Sequence, residues 1–397
     1  MATRMATGVG KGETGFECGR SAAYSALDEL GISGSPDLAI VFASPQQCHE
    51  KALKGVRSVT GNAPLIGCSS AGEFTEEGVL SGSVVVTTIS SDRMRFTVGC
   101  GRGLKQDLSR AVGDAVSSFQ GASPESLKAG LVHRAILLFT DPLAGGGEAL
   151  IHELMMRTAL QYELAGGAAG DDAQFKSTPV FYQEEALTDA FVCAEILCTT
   201  PLGIGISHGW SPIGPTMRVT RSDGAVVKEI NGRPALEVYR DFARERGVTL
   251  EGENVVPFLM EHIIGWIYQE GDQKLRVTLW PLDDGSVVCA SEVPEGALIR
   301  LMKATDQTVM GAAGQATRLA LARLQQARPA GVIALECVSQ RLRIGEAGVA
   351  KELQRIQDAA GPVALAGCHG YGQLGRSHAA FTGLMSASAL VVAFPNA

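Results

Sequence analysis

The sequence predicts an α/β fold with α+β parts, in which three repeated units form mixed sheets covered by helices, within two domains. Three observations lead to this prediction. An apolar run of β type, an amphipathic helix and a second apolar run follow one another three times along the chain. Each second run ends in a glycine-rich turn. Roughly 30 residues separate each first strand from its turn, which is the length of a βαβ unit.

Each unit, numbered here in chain order, contains a first strand, a helix and a second strand that runs into the turn. We expect the two strands to pair in parallel, because the helix between them provides the crossover connection. The predicted ranges are 38–44, 49–59 and 64–75 in unit one, 135–140, 148–161 and 163–174 in unit two, and 332–337, 346–359 and 362–375 in unit three.

A further apolar run follows each turn, at 82–89, 190–196 and 387–394. We expect these runs to be strands that pair antiparallel, which makes the sheets mixed. The second half also contains a predicted helix at 237–246. A predicted hairpin joins 274–280 to 286–291 through Asp283-Asp284-Gly285.

The domain limits follow from two breaks in this pattern. Residues 1–36 hold a leader and a first helix; the run from Gly8 to Gly15 lacks the Gly-Lys-Ser/Thr of a phosphate loop and predicts a flexible leader. A turn signal at 221–224 ends a first domain of two repeat units, 37–224. The second domain, 225–397, combines the hairpin with unit three.

Composition excludes several functional classes. The 397 residues are 45% apolar, and 34 basic residues against 42 acidic ones leave no electrostatic surface for nucleic acid. The first residues lack the apolar stretch of a secretory signal, and Glu195 and Pro201 interrupt the longest apolar segment, so we expect no membrane insertion. The nine cysteines form no Cys-x-x-Cys pair. Reduced, mostly buried thiols in a cytoplasmic protein are expected.

The three turns predict a ligand-binding crevice. Glycines allow close approach of a ligand to the backbone, and crevices at the carboxyl ends of strands bind ligands in open α/β sheets. The alternative is that the glycines only satisfy turn geometry. The candidate glycines are Gly67, Gly72, Gly166, Gly170, Gly367 and Gly370.

Five further side chains are candidates for the ligand site. His208 and Trp210 combine an imidazole with an aromatic ring, although a structural histidine in a turn explains the same pattern. Asp141 follows the first strand of unit two and Arg341 the first strand of unit three; Arg341 fits a ligand carboxylate, and a structural salt bridge is its alternative. Asp141 and Asp171, with Asp172 beside it, could bind a cation or a ligand amine; the alternative is that these acids cap helices or face solvent.

Cys68 and Ser69 are ligand-site candidates that also raise an enzymatic alternative. They lie where a nucleophile would lie after a strand, but the surrounding glycines have the wrong spacing for a Gly-x-Ser-x-Gly turn. A buried structural thiol is the other interpretation of Cys68. Zinc is not expected at His152-Glu153, because position 156 is Met rather than the second histidine.

Several separated motifs resemble the FIST family of F-box and intracellular signal transduction proteins. The FIST N-terminal domain is matched by the run from Pro64 to Glu73 and by the run from Gly203 to Gly214. The FIST C-terminal domain is matched by the segments 228–239 and 293–296, by Glu336-Cys337 with Arg341, and by 367–375. In the last motif, Gln373 replaces the usual Glu and Cys368-His369 replaces an aromatic pair.

The resemblance implies a non-enzymatic sensory protein that binds a small ligand, such as an amino acid or another metabolite, with Tyr371 of the last motif as a further ligand contact. It implies a separate signalling partner such as a histidine kinase. It also implies an alternative, a haem-based nitric-oxide sensor of bacterial type, in which His208 would bind the haem iron as its metal ligand.

Overall fold

The computed structural model describes residues 2–12, 14–32, 34–269, 272–377 and 381–396. It is a mixed α/β structure in which helices cover four sheets. The α/β prediction is confirmed.

The strands of the described residues are numbered in chain order. They are β1 (Arg4–Gly10), β2 (Leu38–Ala43), β3 (Leu65–Ser69), β4 (Glu73–Thr75), β5 (Gly78–Val79), β6 (Val84–Ser90), β7 (Met94–Arg102), β8 (His133–Thr140), β9 (Glu163–Ala168), β10 (Val180–Tyr182), β11 (Glu185–Leu187), β12 (Ala190–Cys198), β13 (Gly203–Ser207), β14 (Trp210–Pro212), β15 (Met217–Asp223), β16 (Val226–Ile230), β17 (Arg233–Pro234), β18 (Ile263–Gln269), β19 (Asp272–Arg276), β20 (Thr278–Pro281), β21 (Val287–Cys289), β22 (Leu298–Ala304), β23 (Pro329–Cys337), β24 (Ala364–Gly370), β25 (Gln373–Ser377), β26 (Phe381–Met385) and β27 (Ala389–Pro395).

The α-helices of the same residues follow one numbering too. They are α1 (Gly15–Leu30), α2 (His49–Thr60), α3 (Leu108–Val116), α4 (Pro124–Lys128), α5 (Gly147–Arg157), α6 (Ala235–Arg244), α7 (Val255–Glu261), α8 (Asp306–Ala322) and α9 (Val338–Ala360). The backbone of α9 is non-helical at Gly345, which divides a short first part from a longer second part. Within the described residues, every helix is too short or too polar to cross a bilayer.

Each repeat unit forms the centre of its own six-stranded sheet. The parallel pairs are β2 with β3, β8 with β9, and β23 with β24. The strands that follow the turns, β6, β12 and β27, pair antiparallel with β2, β8 and β23. Parallel pairing within the units and antiparallel pairing of the later strands are therefore confirmed. Apolar side chains of all three sheets form one shared core cluster.

The strand that leaves each turn joins the sheet of another unit. After turn one, β4 pairs with β24 of unit three. After turn three, β25 pairs with β9 of unit two. After turn two, β10 pairs with β3 of unit one. The exchange closes a cycle of three units, and it brings the ends of the parallel strands together.

A nine-stranded antiparallel sheet is inserted between units two and three. Its strands β15 and β16 form a hairpin, so the predicted boundary at residue 224 lies in a turn between two paired strands. The predicted hairpin is correct for β20 and β21, but residues 272–276 form a separate strand, β19, that pairs with β18. Gly285 at the hairpin turn has a positive φ of 80°.

The flexible leader predicted around Gly8 to Gly15 is wrong in the described residues. Strand β1 includes Gly8 and Gly10 and pairs antiparallel with β6 at the edge of the unit-one sheet. A Cβ at either glycine would overlap the backbone of α1, so these glycines permit close packing of the strand on the helix. The glycine-rich sequence alone could not show that these glycines are needed for the packing of β1 on α1. The predicted domain limits themselves stay predictions.

Candidate functional site

Three turns, 67–72, 166–171 and 367–372, meet through backbone hydrogen bonds. Turn one bonds turn three in both directions: Ala71 N–H donates to the oxygen of His369 at 2.7 Å, and His369 N–H donates to the oxygen of Gly72 at 2.8 Å. Turn one accepts a bond from turn two, where Gly170 N–H donates to the oxygen of Ser69 at 3.0 Å. Turn two bonds turn three through Ala168. The three turns therefore meet, while a ligand-binding crevice between them stays a prediction.

The glycines at these turns have two different roles. Gly67, Gly166 and Gly367 occupy equivalent places in the parallel pairs, where a Cβ would crowd the backbone oxygen of the partner strand. Strand packing explains these three without a ligand. A Cβ at Gly170 would lie 2.9 Å from the nitrogen of Ala71 and 3.1 Å from the oxygen of His369. Gly170 therefore allows the three backbones to approach one another. A Cβ at Gly370 would overlap the backbone oxygen of Ala168, so this glycine serves the contact between turns three and two.

Arg341 lies against turn one. Its guanidinium donates a hydrogen bond to the backbone oxygen of Ala71, and it occupies the space that a Cβ at Gly72 would need. Gly72 also has a positive φ of 116°. Both the backbone conformation and the space occupied by Arg341 therefore require glycine here. Arg341 is half-buried, and within the described ranges no carboxylate lies at ion-pair distance from it. A salt bridge, the alternative interpretation of Arg341, is not formed there.

Cys68 and Ser69 lie at the end of β3 and are buried. The Ser69 hydroxyl has no hydrogen-bond partner among the described residues, so no base activates it there. Burial raises the pKa of the neighbouring thiol of Cys368 well above its usual range. These surroundings give no support to a nucleophile at this place.

Tyr371, Asp171 and Asp141 are engaged by other protein groups. The Tyr371 hydroxyl donates to Asp171, and the ring stacks on Phe175 with 4.5 Å between ring centroids. Asp171 also accepts backbone N–H groups from residues 175–177, which form a loop rather than a helix. Asp141 accepts from the N–H of Asp189 at 2.7 Å, among other donors. Their contact with a ligand stays a prediction.

His208 follows β13 and Trp210 begins β14, on a segment separate from the three turns. Trp210 is 7% exposed and packs in a core cluster beside the nine-stranded sheet. The guanidinium of Arg343 lies 5.6 Å from the centre of its ring. The Nδ1 atom of His208 accepts the N–H of Trp210 at 3.3 Å. Protein groups surround Trp210, and this arrangement does not favour a flat cofactor there. Haem binding stays a prediction.

Glu73 is a buried acid beside turn one that sequence reasoning did not select. It accepts hydrogen bonds from the hydroxyls of Ser70 and Ser83, yet burial raises its pKa to about 7. Gln373 occupies the equivalent place after turn three and accepts from Ser388 at 2.9 Å. Comparison of the repeats with one another could have identified this pair, because Ser83 and Ser388 both precede the returning strand.

A second group that sequence reasoning missed consists of Glu336, Glu352 and His369. Their ligand atoms lie within 4.8 Å of one another, and all three side chains are buried. The residues are distant in sequence and come from β23, α9 and β24. A search for closely spaced histidines and cysteines could not find them, since the sheet pairing of Glu336 with His369 creates the proximity.

Comparison with known proteins agrees with the resemblance seen in the motifs. The FIST N domain model matches residues 37–233, and the FIST C domain model matches residues 235–376. The uncharacterized protein Rv0628c of Mycobacterium tuberculosis (strain H37Rv) is 25% identical over 98% of this chain and 100% of its own length. The uncharacterized protein MJ1623 of Methanocaldococcus jannaschii is 24% identical over 36% of this chain and 30% of its own length.

Among solved structures, the chain is similar to a cyanuric acid hydrolase from A. caulinodans, with a TM-score of 0.33 and 11% identity over 100% of both chains. This likeness is too weak to support an argument about activity. The two domain models, by contrast, cover most of the sequence and follow each other without overlap. The chain belongs to the FIST family.

Proposed function

We propose that this protein is a non-enzymatic sensor that binds a small anionic metabolite, of the amino-acid or organic-acid class, where the three turns meet. FIST domains are associated with sensory signal transduction. The observation that carries the proposal is Arg341, a half-buried guanidinium held on turn one without a carboxylate partner among the described residues. Such a group recognises a carboxylate through paired N–H donors.

The surroundings of Arg341 support a binding role over a catalytic one. The Ser69 hydroxyl has no hydrogen-bond partner among the described residues, so no base activates it as a nucleophile there. Three turns from three units meet beside the guanidinium, so a bound molecule would contact backbone groups of more than one unit. The bound state would then be read by a separate signalling protein, such as a histidine kinase.

The proposal is tested by the melting temperature of the purified protein with a panel of amino acids and di- and tricarboxylates. A ligand that binds the folded state raises the melting temperature by mass action. Calorimetry then measures its affinity for the wild type and for Arg341→Ala and Arg341→Lys. We expect at least about a tenfold loss for alanine and a smaller loss for lysine, because an ammonium cannot bind a carboxylate through a planar fork.

Arg318→Ala is the matched control, since Arg318 is exposed on α8 and bonds only Gln315 among the described residues. Its affinity for the ligand should equal that of the wild type. The proposal fails if no compound of the panel changes the melting temperature. It also fails if Arg341→Ala binds the ligand as tightly as the wild type.

A further inference from the structure

Three buried side chains with hydrogen-bond acceptor atoms face one another at turn three, to which His369 belongs. Glu336, Glu352 and His369 are 2%, 1% and 0% exposed, and their ligand atoms lie within 4.8 Å of one another. The Nε2 atom of His369 lies 3.6 Å from the Oε2 atom of Glu336. The residues lie on three different elements, so packing of α9 on the unit-three sheet assembles the cluster.

The hydrogen bond on the other side of the His369 ring fixes its tautomer. Nδ1 lies 3.3 Å from the backbone oxygen of Gly72. A carbonyl oxygen only accepts, so Nδ1 carries a proton, and in the neutral imidazole Nε2 keeps its lone pair. That lone pair faces the carboxylate of Glu336. Histidines that bind metals show this same arrangement, in which the remote ring nitrogen donates to a backbone carbonyl.

The facing atoms have no hydrogen-bond partner within the described part of the chain. This holds for Nε2 of His369, for Oε2 of Glu336 and for both carboxylate oxygens of Glu352. Buried acceptors that face one another without donors repel, and each unpaired buried group is costly. A group of two carboxyl groups and an imidazole is stabilised by positive charge between them, which either protons or a metal ion can supply.

We propose that Glu336, Glu352 and His369 bind a divalent transition-metal ion, with Zn²⁺ as the probe. One imidazole and two carboxylates are a ligand set for ions of this class, whereas Mg²⁺ and Ca²⁺ prefer oxygen ligands alone. This inference does not depend on the proposed function. It assigns a metal to buried side chains of unit three, of which His369 belongs to turn three, while the proposed metabolite binds Arg341 on turn one.

The distances allow such an ion after small side-chain movements. Two ligands of a tetrahedral zinc lie roughly 3.4 Å apart, since each lies about 2.1 Å from the ion. The pair formed by His369 and Glu336 already approaches this separation, at 3.6 Å. The remaining gaps, up to 4.8 Å, close through rotation of the flexible Glu352 side chain. Three protein ligands leave a fourth position for water.

The other two units lack this combination of residues. At the position where Glu336 pairs with His369, unit one pairs Ala43 with Ser69. Unit two pairs Thr140 with Ala168. The two ligand residues in unit three are therefore an addition to the shared framework.

The test is titration of chelator-treated, metal-free protein with Zn²⁺, followed by calorimetry, and with Co²⁺, followed by visible absorption. The metal is added both to folded protein and during refolding, because the site is buried. We expect one ion per chain, a Co²⁺ spectrum of low coordination number, and an increased melting temperature. Glu336→Gln and Glu352→Gln should each weaken Zn²⁺ binding by more than about 100-fold, since even a lost outer partner costs about 10–100-fold.

The glutamine variants keep the size of the side chains, so they should fold. In the absence of metal they should melt at or above the wild-type temperature, because each removes a buried carboxylate. His152→Gln, at an exposed histidine, is the matched control and should bind Zn²⁺ as the wild type does. The proposal is overturned if the wild type binds no ion by either route. It is also overturned if binding is unchanged in Glu336→Gln and Glu352→Gln, or lost in His152→Gln, since a surface ion or bound protons would then account for the data.

Discussion

Burial of Glu73 disfavours the ionised carboxylate, because it removes the water that would stabilise the charge. The two hydroxyl donors offset part of this cost, but the pKa still lies at about 7. The unit-three equivalent, Gln373, is neutral at every pH and makes the corresponding hydrogen bond with Ser388. The residue directly after the turn is therefore ionisable in unit one and neutral in unit three.

Glu73→Gln should change the pH dependence of stability. The folded state binds a proton between the unfolded pKa, 4.5, and the folded one, about 7, so the free energy of unfolding of the wild type falls as pH rises through this window. The total loss from this group is at most about 3 kcal/mol. Urea denaturation at pH 5 and pH 8 should show a smaller fall for Glu73→Gln.

The control for this experiment is Glu77→Gln, at an exposed glutamate two residues beyond β4. Its pH dependence should match that of the wild type. Equal pH slopes for Glu73→Gln and the wild type would show that Glu73 does not titrate in this window.

Two helices each contain a glycine, but only one of these glycines is needed for close helix packing. In α1, a Cβ at Gly19 would overlap the backbone oxygen of Ala52, so this glycine lets α1 pack closely on α2. In α3, the nearest atom to a Cβ at Gly113 is 3.7 Å away, on the flexible side chain of Arg157. Helix propensity is the same at both places, whereas the packing differs.

Alanine at these two glycines should therefore shift stability in opposite directions. Gly113→Ala should stabilise the protein by about 0.5–1 kcal/mol, because alanine loses less conformational freedom on folding. Gly19→Ala should destabilise it by about 1–3 kcal/mol, because the helices must separate. Urea denaturation measures both; the same sign for the two variants would contradict the close packing of α1 on α2.

The elements were the most predictable part of this structure. Periodicity predicted β2, β8 and β23 and their parallel partners, because strand and helix periods are local properties of the sequence. The helix predicted at 148–161 ends earlier, at Arg157, since Ala159 and Leu160 adopt positive φ angles. The exchange of β4, β10 and β25 was not predictable, because a strand has the same pattern whether it pairs within its own unit or with another.

For the candidate site, the sequence predicted the three glycine-rich turns, which the structure brings together. It also selected Arg341, whose contact with a ligand stays a prediction. It did not predict the cluster of Glu336, Glu352 and His369. Two of these three face each other only because a parallel register pairs them, and the third arrives from a helix. Proximity of this kind depends on tertiary packing.

At the scale of the whole molecule, the exchange of strands makes the two matched domains interdependent. Residues 1–233 contain β4 and β9, but the partners of these strands, β24 and β25, lie beyond residue 233. Two of the three unit sheets are therefore completed by strands from both parts of the chain.

A fragment of residues 1–233 should lack a cooperative unfolding transition. Its unpaired strands leave backbone groups and apolar side chains exposed, which favours aggregation. Near-ultraviolet circular dichroism and urea denaturation test this expectation. Coexpression with residues 234–397 should restore the cooperative transition, and a steep transition of the fragment alone would contradict the interdependence.

The cycle of exchanged strands also bears on how binding could be detected from outside. Each turn is bonded to both others and continues into strands of two sheets. We therefore expect a displacement of one turn to move strands in more than one sheet, out to the edges of those sheets. A second protein that touches only such an edge would distinguish the loaded state from the free state without ever reaching the bound molecule.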